Sequence, residues 1–355
     1  MSQYLVLSHI KIQNANSIAG FTWGFPAITG FLGFTHALSR KISNQFEGQY
    51  DTTLNGCAVV SHKYQNKVYQ PKNNADFEFI QSRNPPVLED HKNGKKVPVI
   101  EEGKINLTVS LVIELGKNLN LTEELLQKFE EHVLSICSEL RLAGGTILGI
   151  KQAKLLSANT QDQQRVMLKK IKRLTLPGFV LLDRSQYLQE HYKNILINSE
   201  QDDEFKPSLL DAWLDFCALK LKATPKLKKD QKVPNENTDA DWKYVPKPQK
   251  GFLVPLMTGY KAISEIFKPG EVSNVRDMSS PSCFVEAVHS IGEWKGIHSL
   301  DSIDSVLWRY NYDDGWYICE QDRHFNGSGD LESDTTTSEQ ELLQNLNFND
   351  ALNNW

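Results

Sequence analysis

Asn106–Leu115, NLTVSLVIEL, sets Leu107, Val109, Leu111, Ile113 and Leu115 on one side and Asn106, Thr108, Ser110, Val112 and Glu114 on the other. This alternation has the period of a pleated strand with one apolar face and one mostly polar face. Immediately downstream, Leu125, Phe129, Val133, Ile136 and Leu140 recur at helical spacing, so a helix is expected from about Leu121 to Leu140. Asn120 or Thr122 suits its cap, and Glu123 and Glu124 suit its positive end. Gly144-Gly145 then leads into a short apolar strand, Thr146 to Ile150.

Upstream, Tyr4 to Ile12 reads as a strand. Ile28, Phe31, Leu32, Leu38 and Ile42 give a helix from Pro26 to about Ile42. Pro26 fits the first turn, where its missing N–H costs nothing. Cys57 to about Tyr69 reads as a second strand. Between Pro71 and Pro98 the chain turns polar, with turn signals at Arg83-Asn-Pro-Pro86 and Asn93-Gly-Lys-Lys96, and is read as an insertion forming its own β-hairpin. Residues 1–150 thus run β-α-β-β-α-β. The fold class expected is α+β, with a ferredoxin-like (RRM-type) N-terminal domain carrying the 71–98 insertion.

From Lys151 the composition changes: Lys151, Lys154, Arg165, Lys169, Lys170, Lys172 and Arg173 are opposed only by Asp162. A second, mixed α/β domain is expected over 151–323. It has a strand at Phe179–Leu182, helices at Gln186–Ile197 and Ser208–Leu221, and a lysine- and proline-rich linker at 222–250. Residues 324–355 read as an acidic, disordered tail.

Of the chain's 355 residues, 40% are hydrophobic and 23% charged, the balance of an ordinary soluble protein. The N-terminus has no signal-peptide pattern, and no stretch approaches the ~18 apolar residues of a membrane helix, so no membrane is expected. Six of the 44 acids lie in the tail, leaving 38 against 39 bases elsewhere. A polyanion site must therefore be a local patch rather than a property of the whole chain. The five cysteines are scattered and odd in number, which argues for buried thiols in a reducing compartment and against a disulfide framework or zinc site.

The run Ile12–Arg40, IQNANSIAGFTWGFPAITGFLGFTHALSR, carries the best site candidates. Asn14, Asn16, Trp23, Arg40, Arg141, Gly144 and Gly145 offer amides, a flat ring, guanidinium groups and unobstructed backbone. Those are the means by which unpaired RNA is read. The plainer reading is that the asparagines make local turn bonds and Trp23 fills a core. Lys169, Lys170 and Arg173 suit phosphates, or are a solvated helix face. No phosphate loop, GxSxG elbow or HExxH helix is present, and neither cofactor nor metal is called for.

Five ordered stretches resemble one family. Besides the Ile12–Arg40 run, they are Arg141-Leu-Ala-Gly-Gly-Thr-Ile-Leu148, Leu176-Pro-Gly-Phe-Val180, Gly251-Phe-Leu-Val-Pro255 with Gly259-Tyr260, and Pro269-Gly-Glu-Val-Ser-Asn-Val-Arg-Asp277. The last is followed by Phe284-Val-Glu286 and Gly292-Glu-Trp294. The chain resembles, over about residues 4 to 317, the Cas-five-type subunit (second Csy subunit) of type I-F CRISPR surveillance (Cascade/Csy) complexes. The resemblance implies a non-catalytic, cytoplasmic subunit that binds the 5′ handle of the guide CRISPR RNA. Its implied partners are the complex's large subunit, as a heterodimer, and the backbone subunit, with target DNA engaged indirectly. Relatives carry a glycine-rich loop where Ala143-Gly144-Gly145 stands, and a hairpin thumb where Arg83, Lys92, Lys95 and Lys96 stand. Arg276 is a further RNA contact by resemblance, with a structural pairing to Asp277 or Glu271 as the alternative. Some relatives cleave RNA with a histidine on the first helix. The alternative function is therefore a handle-specific endoribonuclease using His36, with His62, Lys63 or Tyr64 as the second group.

Overall fold

The structure, a computed structural model, describes residues 2–45, 50–83, 92–94, 99–199, 206–226, 233–275 and 277–321. Arg276, Lys95, Lys96 and the acidic tail lie outside these residues, as do parts of the insertion and of the lysine-rich stretch. The fold is mixed α+β, dominated by a large antiparallel sheet. Two compact units form. The first takes the described residues of Met1–Asp183, Leu256–His289 and Trp294–Phe325; the second takes those of Arg184–Pro255 and Ser290–Glu293.

In the first unit, β1 (Ser2–Asn16) runs four residues beyond the expected end at Ile12. Its register shifts twice, between Leu7 and Ile10 and between Ile12 and Ala15. His9 and Asn14 sit in those bulges with φ of 51° and 58°. Each bulge moves the inward set by one residue, so Ile12 and Ala15 are both buried although three apart. A strict alternation test stops at the second bulge. The short strands β2 (Ile18–Ala19) and β3 (Thr22–Trp23) then pair as a small hairpin. Helix α1 (Ile28–Gln45) begins after Pro26, which therefore precedes the helix instead of sitting in its first turn. The expected stripe Ile28, Phe31, Leu32, Leu38 and Ile42 is buried.

Next come β4 (Leu54–Asn66), β5 (Val68–Tyr69), β6 (Glu78–Arg83), β7 (Val99–Glu102) and β8 (Lys104–Leu115). The expected second strand is broken at Lys67. Strands β5, β6 and β7 form a separate three-stranded sheet, with Ile80 opposite Glu102 and Ser82 opposite Ile100. Helix α2 (Glu123–Glu139) is capped by Thr122, whose hydroxyl accepts from Leu125 N, and buries Phe129, Val133, Ile136 and Cys137. Then follow β9 (Arg141–Leu142), β10 (Gly145–Gly149), β11 (Gln152–Ala158), helix α3 (Gln161–Thr175) and β12 (Phe179–Asp183). Both β10 and β11 pair with one edge of β1, β8 with the other, and β4 with β8, all antiparallel. The expected boundary at residue 150 falls between β10 and β11, which share the edge of β1 in one unit.

The sheet is covered unequally. Helices α1 and α2 pack together on one face, where Thr35 of α1 meets Cys57 of β4. On the other face, Met167 and Ile171 of α3 and the segment from Ile297 to Leu307 cover Tyr4, Val6, Ala58, Val60 and Val112. Each such buried aliphatic side chain contributes about 1.5–3 kcal/mol. That cover stops partway along the strands.

In the second unit, α4 (Ser185–Ser199) and α5 (Leu209–Cys217) enclose a core of Leu188, Ala212, Trp213 and Phe216 with Leu253 and Ile291. Ser208 and Asp211 form a reciprocal capping box, and α5 ends at Cys217, before the expected Leu221. The stretch read as a mobile linker instead contains paired strands, β13 (Leu221–Pro225) and β14 (Ala240–Tyr244). Lysine and proline content suggested a linker, but Thr224, Trp242 and Tyr244 supply strand-forming side chains.

The chain then adds β15 (Leu253–Ala262), β16 (Val285–Gly296), β17 (Trp308–Asp313) and β18 (Trp316–Gln321). Strands β17 and β18 form a hairpin, and β17 extends the sheet beyond β4 through Trp308 opposite Cys57. Trp308 is fully buried and donates its indole N–H to Leu181 O at 3.0 Å. No described helix is long and apolar enough to cross a membrane.

Candidate nucleic-acid interface

The end of β1 is shaped by its second bulge. Asn14 N donates to Asn106 Oδ1 at 3.1 Å, and the Lys67 ammonium donates to Asn14 Oδ1. The Asn14 Nδ2 group has no partner among the described residues. Asn16 is more committed: its N donates to Ala143 O at 2.9 Å, its Nδ2 to Ile18 O at 2.9 Å, and its Oδ1 accepts from Ile18 N at 3.1 Å. The local-turn reading therefore describes Asn16 well and Asn14 in part.

Ala143 and Gly144 link β9 to β10 with φ of 50° and 76°. Positive φ at both central residues is what a two-residue hairpin of primed type needs. The glycines then differ in kind. A Cβ on Gly145 would lie 2.6 Å from Ile12 Cγ2 and 2.7 Å from Ala15 N, so that glycine is filled by β1 itself. Gly144 is exposed, and its nearest neighbour, Asn16 Cβ, would be 4.0 Å from an added Cβ. Only Gly144 leaves backbone open to an outside group.

Trp23 does not fill a core. It is 47% exposed and meets Phe79 edge-to-face at 4.3 Å. Nearby Phe21, 69% exposed, stacks on His289 at 4.8 Å. Arg141 is exposed on β9, opposite Thr146. Arg40 is exposed on α1, while Lys169, Lys170 and Arg173 are exposed on α3, on the opposite face of the sheet. Lys172 of the same cluster is held by His298 O at 2.9 Å. Arg83 ends β6 and Lys92 is exposed. The structure thus gathers Asn14, Asn16, Gly144 and Gly145 at one sheet end, and separates Arg40 from the α3 cations.

Sequence reasoning missed what lies beside this cluster. A pocket of about 240 Å³ opens on the sheet surface, lined by Lys11, Ile12, Gln13, Lys63, Tyr64, Gln65, Asn106, Leu107, Thr108 and Leu148. Its signal in the sequence was the polar half of the alternation in β1 and β8, which reads as ordinary solvent face.

The sequence pattern of the CRISPR-associated Cas_Csy2 family matches residues 5–319. The chain belongs to the Csy2 family of CRISPR-associated proteins. It is also similar to the CRISPR-associated protein Csy2 of Pseudomonas aeruginosa (strain UCBPP-PA14), with 33% identity over 318 residues, covering 86% of this chain and 91% of the relative. The family match runs from β1 into β18 and so takes in both compact units of this Csy2-family chain.

Two histidines mark where the cover of the sheet ends in this Csy2-family protein. His9 and His62 stack with centroids 4.0 Å apart and planes 9° apart. His62 Nδ1 lies 2.6 Å from Pro177 O, which only accepts, so Nδ1 carries the proton. Nε2, 2.6 Å from Ser110 Oγ, then accepts the hydroxyl proton. Burial lowers the pKa of both rings, and His9 is lowered further by the charges of His62 and Lys151. His36 is exposed on α1, across the sheet from His62. The acid–base pair conceivable from sequence, His36 with His62, is not brought together.

Proposed function

We propose that this Csy2-family chain is a non-catalytic, cytoplasmic subunit of a type I-F CRISPR RNA-guided surveillance complex, its Cas-five-type member, and holds the 5′ handle of the guide RNA. On this reading it pairs with the large subunit and abuts the backbone subunit, and it meets target DNA only through them. The strand order β10–β1–β8–β4, with α1 and α2 in the two crossovers, supports a ferredoxin-like core of the RNA-recognition kind.

The observation that carries the proposal is the end of β1, where Asn14 and the exposed Gly144 turn lie together and the chain runs on to the half-exposed Trp23. The mechanism is positional: these groups fix the handle's shape while the guide reads sequence by base pairing. Asn14 Nδ2 donates to a base edge, Trp23 offers a stacking face, and Gly144 admits a phosphate to the backbone. Gly145 and Asn16 hold that surface in place. Arg40, Arg83, Arg141, Lys169, Lys170, Arg173 and Arg276 supply cations along the RNA's path.

The test is guide retention by the assembled complex carrying Asn14→Ala and Trp23→Ala. A lost stack costs about 1–3 kcal/mol, so retention of the handle should weaken by about tenfold or more. Unchanged retention with unchanged handle protection from nuclease would refute the assignment.

A further inference from the structure

We propose that the uncovered end of the main sheet is a second binding surface, for one unit of an unpaired polynucleotide. Lys11 and Lys63 clasp a phosphate over Thr108, and Gln13, Gln65 and Asn106 address the base. The proposal deepens the handle reading and rests on it only for which RNA arrives there.

The surface follows from strand parity. Asn106, Thr108, Ser110 and Val112 share one face of β8. Val112 is covered by the α3 side of the core. Ser110 is covered by His9, which donates N–H to its hydroxyl, and by His62. Thr108 and Asn106 lie past that cover, in the pocket.

The lining is unusual for an acidic protein. On the face that carries Thr108 it presents two ammonium groups, three carboxamides and one hydroxyl, with no carboxylate among the residues that form it. In register, Lys11 and Lys63 stand on either side of Thr108. Their backbones are therefore about 9–10 Å apart, two strand spacings, within joint reach of a group between them. Neither ammonium group has an ion pair or hydrogen bond among the described residues. Other lysines do: Lys41 pairs with Glu139, Lys128 with Glu124, Lys154 with Glu130 and Lys226 with Asp241. Two uncompensated cations over one threonine call for an anion.

The amides form the next rank. Gln65 faces Asn106 across β4–β8, and Gln13 lies in the β1 bulge whose Asn14 N–H is held by Asn106 Oδ1. Alternate residues on one face are about 7 Å apart, comparable to the reach from a phosphate to its base. Carboxamides donate and accept together, which suits base edges and gives a sugar–phosphate chain no special advantage. Leu148, 63% exposed, flanks the rank with apolar surface on which a ring can lie. Asn14 adjoins this rank, so a strand leaving the pocket meets the handle surface directly.

The experiment is fluorescence anisotropy of the full chain with a short labelled oligouridine, the same strand in duplex, and inorganic phosphate as competitor. Lys11→Gln with Lys63→Gln should weaken single-strand binding by about tenfold. It should also make the salt dependence shallower by about 0.7 for each phosphate that is no longer neutralised. Gln13→Ala with Gln65→Ala should keep the salt slope and shrink the difference between oligouridine and other homopolymers. These positions are exposed, so the melting temperature stays unchanged; Lys128→Gln with Lys226→Gln, which removes the same two charges elsewhere, is the control. Wild-type affinity and slope in the double-lysine variant would overturn the site. So would equal binding of duplex, or no binding by the wild-type chain, the outcome expected if this face meets a protein. If the Asn14 and Trp23 variants lose the handle in the assembled complex while the lysine variants retain it, this site fails and the handle reading stands. The reverse result moves the handle onto the pocket.

Discussion

Gly145→Ala separates a packing role from a binding role at the β9–β10 turn. The new methyl would sit 2.6 Å from Ile12 Cγ2, 2.7 Å from Ala15 N and 2.8 Å from Ala15 Cα. Two of these atoms are backbone of β1, the strand through which β8, β10 and β11 are joined, and cannot swing aside as a flexible side chain would. Forcing extra volume into such a site costs about 1–3 kcal/mol. At roughly 2–4 °C per kcal/mol, the thermal midpoint should fall by about 2–12 °C. Gly144→Ala is the comparison: its Cβ meets open space, but φ is 76°, so the cost is backbone strain of about 1 kcal/mol. Thermal melting by circular dichroism gives the stability, and handle binding per folded molecule gives the function. The packing requires Gly145→Ala to lose more stability than Gly144→Ala, and the proposed function predicts that it keeps handle binding once folded. A Gly145→Ala protein that melts like wild type yet releases RNA would show that the glycine faces the ligand, against the packing described.

Two further outcomes follow from buried titratable groups. His9 and His62 have folded-state pKa values below the ordinary 6.5, chiefly through burial. The unfolded chain therefore takes up protons first. Stability should be fully present above about pH 7 and decline as pH falls from about 6.5 through the depressed values, then level off. His9→Gln with His62→Gln should flatten that decline in melting temperature, partially, because burial depresses His289 as well. An unaltered pH profile would sink the assignment. Burial pushes the thiols of Cys57, Cys137 and Cys319 up to about 12, whereas Cys283 is exposed. In a native thiol titration with a disulfide reagent, Cys283→Ser should abolish the fast phase; a persisting fast phase would place a reactive thiol elsewhere.

The strands and helices legible in the sequence were those with unbroken periods. The alternation of Asn106–Leu115 and the stripe of Phe129, Val133 and Ile136 correspond to β8 and to the buried side of α2. What escaped had a local cause in each instance. The last residues of β1 were hidden because a bulge at Asn14 resets parity, so Ala15 falls out of phase with Ile12. The β13–β14 pair was hidden because its flanking lysines and prolines outweigh three strand-forming residues. At the interface, side-chain type pointed to Asn14 and to Trp23, but type alone does not tell Gly144 from Gly145; only their neighbours do. The pocket could not be read because Lys11 and Gln13 depend on the register set by the β1 bulges, and Lys63 and Gln65 on a further register shift in β4 between Ser61 and Lys63.

Strand β1 also has a consequence for biosynthesis. Synthesised before its lateral partners, it carries the core residues Leu5, Val6, Leu7 and Ile10, while β8, β10 and β11 end at Leu115, Gly149 and Ala158. At about 5–20 residues per second, the nascent chain trails an unpaired, greasy ribbon for roughly 7–30 s before its second edge is closed. Slowing translation before codon 158 should therefore lower the soluble yield more than slowing it afterwards.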